Sequence, residues 1–277
     1  IISAMRPDGV LVYNHDDDII KAQLPDVLQR QVGFSRYVES DFTAREDRVI
    51  YRDDVPVGIA FEINHLSVSD DVVIRGVIGT QFAYAATAAL AVADELSMPL
   101  AAAVEALKEF ETPPGRMKIL PGIKSTVLID DTYNSSPIAC EQALQAIKEL
   151  NHVTRRVVVL GDMLELGKYS TEEHKHIGKK VAESADVLFA VGIRASGIVE
   201  GALAAGMSEK NIFQYDQVER AGKELQALMK FGDVVLIKAS QGVRAERIVE
   251  EVMAEPEKAI ELLVRQDKVW KNKKPSV

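Results

Sequence analysis

Beyond a Thr112-Pro113-Pro114-Gly115 break, five short apolar runs recur with amphipathic stretches between them, and few folds admit that pattern. The runs, residues 126–130, 156–160, 187–191, 212–215 and 234–238, are apolar along most of their length instead of alternating, which predicts strands buried on both faces. Segments 137–150, 171–185, 196–205 and 217–230 between them, and 243–254 after the last, have helical periodicity. Strands that alternate with helices form a parallel sheet joined by right-handed crossovers. The expected fold class is therefore α/β, with a doubly wound, mostly parallel, Rossmann-like sheet in the C-terminal part. Ser170 and Glu173 have the S-x-x-E spacing of a capping box at the head of one of these helices.

The first third differs. Residues 10–13 form a short apolar run bounded by Asp8-Gly9 and by Asn14-His15-Asp16-Asp17, which suits a buried strand ending in a polar loop. Runs 48–52, 57–63 and 72–78 are rich in β-formers and predict an antiparallel patch, followed by an alanine-rich helix over 80–96. Pro99 suits the first turn of another helix running to about residue 110. A double proline followed by glycine cannot continue a helix, so the chain is expected to divide into residues 1–113 and 114–277.

Charge narrows the function. The chain has 33 basic against 42 acidic residues, a net charge of −9, so no overall positive field exists to hold nucleic acid or anionic lipid. The one cysteine, Cys140, can form neither an internal disulfide nor a thiolate cluster, which fits the cytoplasm, and no apolar stretch reaches the length of a membrane span. A monomer is expected. Because the chain opens at Ile1 without a start methionine, an N-terminal part is expected to be missing.

In a doubly wound sheet ligands bind beyond the carboxyl ends of the strands. The residues there are Asp130, Asp131, Thr132, Tyr133 and Asn134 after the first run, Gly161, Asp162 and Met163 after the second, Gly192 after the third, and Lys238, Ala239 and Ser240 after the last. A carboxylate at such an edge can accept ribose hydroxyls and an ammonium can neutralise phosphate oxygens, whereas any one Asp or Ser could simply cap the next helix. The concentration of several at one edge favours a site. Gly161 to Tyr169 imitates a phosphate-binding loop but has five residues between its glycines and a tyrosine where a Mg²⁺-binding hydroxyl belongs. No G-x-x-x-x-G-K-[ST] or G-x-G-x-x-G string occurs. His174 and His176 are two apart in a helix, face different ways and make no metal site, and no metal ligands are assigned. The basic run from Arg265 to Lys274 around Trp270 suggests a solvated end with one aromatic anchor.

Ile129-Asp-Asp-Thr-Tyr-Asn-Ser-Ser-Pro137, Val159-Leu-Gly-Asp-Met-Leu-Glu-Leu-Gly167 with His174 downstream, and Lys238-Ala-Ser-Gln-Gly-Val-Arg-Ala-Glu246 resemble the Mur ligases. Pro114-Gly-Arg-Met117 resembles the interdomain arginine motif of that family, and Leu11 to Asp17 its N-x-D-D loop. The D-D-T-Y-N and G-D-M-L-E-L-G strings are distinctive of the branch that adds D-alanyl-D-alanine to UDP-N-acetylmuramoyl-tripeptide in peptidoglycan synthesis. The resemblance implies that residues 1–113 are part of a central ATP-binding domain and 114–277 the complete C-terminal domain. It implies ATP and Mg²⁺ as cofactors, the metal bound mainly by a missing P-loop segment, and a fragment inactive alone. It also implies roles: Lys238 and Arg116 catalytic; Asp131, Arg116 and Asn14 at ATP; Asn134, Ser135 and Ser240 at the dipeptide. Glu165 and His174 are family-typical without an assigned role.

The chain departs from the family where G-x-H-N-x-x-N becomes Gly79-Thr-Gln-Phe-Ala-Tyr-Ala85, so that adenine would meet Phe82 and Ala85. Ala239 replaces a glycine and would be strained if φ there were positive, and Ala245 replaces a methionine. Asp131→Ala is expected to weaken ATP binding with little loss of folding. Two other readings are a noncatalytic Mur-ligase-derived binding module and a receiver-like phospho-acceptor domain, the latter needing an aspartate where Gly192 stands.

Overall fold

The computed structural model describes residues 2–273 and 275, apart from the side chain of residue 3; Lys274 of the basic run lies outside them. Two compact units form. Glu111 is the last residue of the first, and Thr112 opens the long run of the second, which also takes in Tyr51–Pro56 and Gly76–Gly79.

The first unit carries a five-stranded sheet in the order β1 (Val10–Asn14), β2 (Arg30–Ser35), β3 (Phe42–Arg52), β4 (Val55–His65), β5 (Val68–Arg75). The antiparallel patch is only part of it, because β1 pairs β2 and β2 pairs β3 in parallel, while β4 and β5 are antiparallel. The strand β2 escapes a reading by periodicity because its R-Q-V-G-F-S run holds three polar residues and a glycine against only two apolar ones. Between β3 and β4, Asp53 and Asp54 both have positive φ, 51° and 64°, the combination a two-residue hairpin turn requires. The helix α1 (Asp18–Lys21) is capped by Asp17 and followed by α2 (Gln81–Glu95) and α3 (Leu100–Leu107). Pro99 stands at the cap of α3, one position before its first turn.

The second unit is a six-stranded sheet. Its strands are β6 (Lys118–Gly122), β7 (Thr126–Asp131), β8 (Arg155–Gly161), β9 (Val187–Val191), β10 (Ile212–Tyr215) and β11 (Asp233–Lys238), in the spatial order β10-β9-β8-β11-β7-β6. All pairings are parallel except β6 with β7. The antiparallel β6 contains Pro121, which an edge strand tolerates because one side needs no ladder donor.

Period-two alternation divides the core. Leu128, Val157, Val159, Phe189, Val235 and Ile237 point to the face covered by α7 (Val218–Leu228) and α8 (Glu246–Val252), where Leu225, Ile248, Val249 and Val252 complete one apolar cluster. Ile129, Val158, Leu160, Leu188 and Leu236, equally buried, point to the other face. There α4 (Pro137–Lys148), α5 (Ser170–Ser184) and α6 (Ser196–Ala204) pack in a row. The α5 and α6 backbones approach so closely that a Cβ on Gly201 would lie 2.0 Å from the Lys175 carbonyl oxygen. Two short helices, α9 (Ala259–Leu262) and α10 (Lys268–Lys271), follow.

The Ser170 capping box does not form. A 3-10 turn over Gly167–Tyr169 runs directly into α5, so Ser170 already has helical φ and ψ and makes no cap bond. Among the described residues, no helix is long and apolar enough to cross a membrane.

Candidate functional site

The strand β11 lies between β7 and β8, whose chains leave toward the α4–α6 face while β11 leads to α8 on the opposite face. Such a switch point opens a crevice beyond the strand ends. Lys238 ends β11 in register with Asp131 of β7. Its ammonium Nζ donates to Asp131 Oδ2 at 2.5 Å and to the Asn134 carbonyl at 3.0 Å, and its side chain is 2% exposed. The other Asp131 oxygen accepts the Met117 N–H at 3.2 Å. Asp131, Asn134 and Lys238, expected at one edge from sequence, are thus brought into one knot.

Asp130 is fully buried beside it. One oxygen accepts the Thr132 N–H and hydroxyl at 3.2 and 2.6 Å, the other the Gly115 N–H at 3.1 Å. Burial pushes its carboxyl up to about 6, against the downward pull of the Thr132 and Gly115 bonds. From this base Tyr133 and Asn134 project outward, and the exposed Arg116 guanidinium lies over the Tyr133 ring at 4.1 Å.

The two serines assigned to the dipeptide are buried. Ser135 Oγ shares a hydrogen bond with Cys140 Sγ at 3.1 Å, and burial raises the Cys140 thiol. Ser240 Oγ accepts the Leu164 N–H at 2.9 Å and donates to the Ser135 carbonyl at 3.4 Å. Both tie loops together in this conformation.

Around the end of β8, Asp162 is buried, accepts the Ala195 N–H at 2.8 Å and lies 3.4 Å from Arg194. His174 is also fully buried. Its Nδ1 donates to the Ser170 carbonyl at 2.6 Å, which leaves Nε2 to accept the Met163 N–H at 3.0 Å, so the neutral ring joins α5 to the loop after β8. Glu165 is exposed, with φ 66°. Ala239 is buried and absent from the positive-φ positions, so the feared strain does not arise; its methyl fills the space beside Gly161. Ala245 is likewise buried, in the α7–α8 cluster.

Asp131→Ala therefore calls for correction. The residue is 7% exposed and neutralises a buried lysine, so its loss must cost folding free energy.

Asn14 belongs to the first unit, where its Oδ1 accepts the Asp16 N–H at 3.0 Å. Asp16 accepts N–H bonds from Arg36, Tyr37 and Val38 and the Tyr84 hydroxyl at 2.9 Å. These bonds hold its carboxyl below the usual range although burial opposes them, and the Tyr84 phenol is pushed up by burial and by that carboxylate. At the head of α2, Gln81 Oε1 is buried without a hydrogen-bond partner, next to the partly buried Phe82; Ala85 is exposed.

The basic run hides a contact to the site loop that the sequence reading missed. Arg265 donates to the Thr132 carbonyl at 2.9 Å and to the Tyr133 carbonyl, and pairs with the buried Glu246 at 3.4 Å. Trp270 is flanked by Arg244, Arg265 and Lys273, and Arg244 in turn pairs with Glu246 at 2.5 Å. Arg244 and Glu246, opposite charges two residues apart just after the last strand, were the available signal.

Residues 115–241 match the family described as Mur ligase, glutamate ligase domain. The UDP-N-acetylmuramoyl-tripeptide--D-alanyl-D-alanine ligase of Bacillus subtilis is 25% identical over 259 residues, covering 92% of this chain and 54% of that protein. The MurF ligase of Thermotoga maritima, solved in complex with ADP, superposes with a TM-score of 0.76 at 25% identity, covering 94% of this chain and 56% of that one. A MurF structure from Acinetobacter baumannii gives 0.74 at 25% identity, with 90% and 52% covered. Residues 115–241 belong to the Mur ligase family, and the similarity to Mur ligases extends over most of the chain. Within the Mur ligases the chain is MurF-like, and its largely parallel second sheet is the Mur ligase C-terminal fold. The chain spans about half the length of the curated relatives it matches.

Proposed function

We propose that the chain is the C-terminal part of an ATP-dependent ligase that joins D-alanyl-D-alanine to UDP-N-acetylmuramoyl-tripeptide, working in the cytoplasm as a monomer. Its first unit is then part of the central ATP-binding domain and its second the C-terminal domain. The observation that carries the reading is the Lys238–Asp131–Asn134 knot at the switch point, with Arg116 presented beside it. The name borne by the Bacillus subtilis relative and the ADP of the Thermotoga maritima structure support it.

A carboxylate is a poor electrophile, and ATP would supply the activation by giving its γ-phosphoryl group to the carboxylate with loss of ADP, so that an attacking amine can displace phosphate and shed a proton as the amide forms. For this chain, positioning and charge neutralisation are the work to be done. Arg116 carries an exposed guanidinium suited to phosphate oxygens, and Asn134 an exposed amide suited to a dipeptide. Lys238, held by Asp131, fixes the Asn134 backbone and keeps the crevice floor electrically balanced. Within the second unit, Asp131 supports the nucleotide side of the crevice through Lys238 and Met117, and Ser135 and Ser240 tie the dipeptide loops; Asn14, in the first unit, is given to the nucleotide by the family resemblance alone. One polar atom of the first unit fits a nucleotide: the unpartnered acceptor Gln81 Oε1 can take a hydrogen bond from an exocyclic amine at the place where the family has its adenine motif. Mg²⁺, which the family resemblance implies, would be held chiefly by the nucleotide and by segments other than these.

The test is phosphate release by the full-length protein, which should require UDP-N-acetylmuramoyl-tripeptide and D-alanyl-D-alanine together. Dipeptide binding without turnover would favour the noncatalytic module instead, and no dependence on either substrate would refute both. The 277-residue chain alone should release no ADP, since it contains no P-loop string.

A further inference from the structure

We infer that Asp130 is a positioning residue for Arg116, acting through the backbone of Gly115. The segment that leads into β6 is laid across the carboxyl end of β7 by the peptides on either side of Arg116. The Gly115 N–H donates to Asp130 Oδ2 at 3.1 Å, the Met117 N–H to Asp131 Oδ1 at 3.2 Å, and the Gly115 carbonyl accepts the Tyr133 N–H at 3.0 Å. Arg116 is left between two anchored peptides with its guanidinium 4.1 Å above the Tyr133 ring.

The chemistry calls for a carboxylate. Asp130 serves three donors, two on one oxygen and one on the other. An asparagine has one acceptor oxygen, so its NH₂ would face either the Gly115 N–H or the Thr132 donors, donor against donor. Capping the turn at Thr132 needs only one Asp130 oxygen. The second, buried at a cost visible in the raised carboxyl, serves only Gly115 among the described residues.

The partner is equally constrained. Gly115 has φ +71°, and a Cβ there would stand 2.9 Å from the Tyr133 nitrogen. Arg265, seated on Glu246, holds the Thr132 and Tyr133 carbonyls from the other side, so the aromatic platform is fixed as well as the arginine above it.

Two measurements test this, and only the second rests on the ligase reading. In the 277-residue chain, the Arg116 Nε–Hε resonance, identified by Arg116→Lys, is expected upfield because of the Tyr133 ring, with Tyr133→Leu as the unshifted reference. Asp130→Asn, nearly isosteric with the native residue, and Gly115→Ala should each move it to the reference position. A resonance that stays put in both variants, in otherwise native spectra, overturns the proposal. In the full-length ligase, Asp130→Asn should lower kcat/KM for ATP at least about tenfold, and the loss should vanish in an Arg116→Ala background. Equal losses in both backgrounds would also overturn it. If the wild-type protein shows no dipeptide-dependent phosphate release, the ligase reading fails and the resonance decides alone.

Discussion

Asp131→Ala is the substitution on which the site's energetics can be worked through. Lys238 and Asp131 have side chains 2% and 11% exposed, with Nζ and Oδ2 2.5 Å apart. Removing the carboxylate leaves a buried ammonium with the Asn134 carbonyl at 3.0 Å and strips the Met117 N–H of its acceptor. Breaking a buried ion pair from one side costs about 3–5 kcal/mol, because the remaining charge has lost both water and its partner. Urea unfolding followed by Trp270, the one tryptophan, reports on the second unit. With a denaturant slope of about 2 kcal/mol per molar, the midpoint should fall by roughly 1.5–2.5 M. Adding Lys238→Met removes the stranded charge and should restore most of the loss, since apolar replacement of a buried pair is often close to neutral. A midpoint shift below about 0.5 M for Asp131→Ala, or no recovery in the double variant, would refute the argument that the pair is a buried structural knot.

Three further outcomes follow from the same geometry. Because burial raises the Asp130 carboxyl from 3.8 to about 6, the folded chain binds more protons than the unfolded one between those values, and this group's contribution to stability declines as pH rises through that window. The stability of the wild type relative to Asp130→Asn should therefore fall from pH 4 to pH 6.5 and level off above; a difference independent of pH would contradict it. His174→Ala should cost about 2–4 kcal/mol in the same urea assay, from the cavity and the unsatisfied Met163 N–H, and ¹⁵N spectra of the wild type should show the proton on Nδ1. Gly201→Ala should destabilise the second unit by more than about 2 kcal/mol, because its Cβ would meet the Lys175 carbonyl; a neutral result would mean that α5 and α6 can separate freely.

The alternation of apolar runs and amphipathic helices made the second sheet legible, since strands buried on both faces and joined by helices admit few arrangements. Strand ends also follow from the runs, and with them the gathering of Asp130, Asp131, Asn134 and Lys238 along one edge. What the letters left open were the elements with mixed patterns. The edge strand β6 carries a proline and glycine, β2 interleaves polar residues, and Ser170 has the right spacing for a cap yet is absorbed into the helix by the preceding turn.

Chemical state belonged wholly to the tertiary structure. Lysine next to aspartate across a sheet can be a solvated pair or a buried one, and only the packing of β11 between β7 and β8 made it the latter. The same holds for Arg265, which lies 133 residues beyond the Thr132 carbonyl it holds, in a run that looks solvated by composition. Local sequence sets the period of burial, so it specifies elements and their order. Dielectric environment and partnership depend on which distant segments exclude water from a given atom, and that is decided when the chain closes on itself.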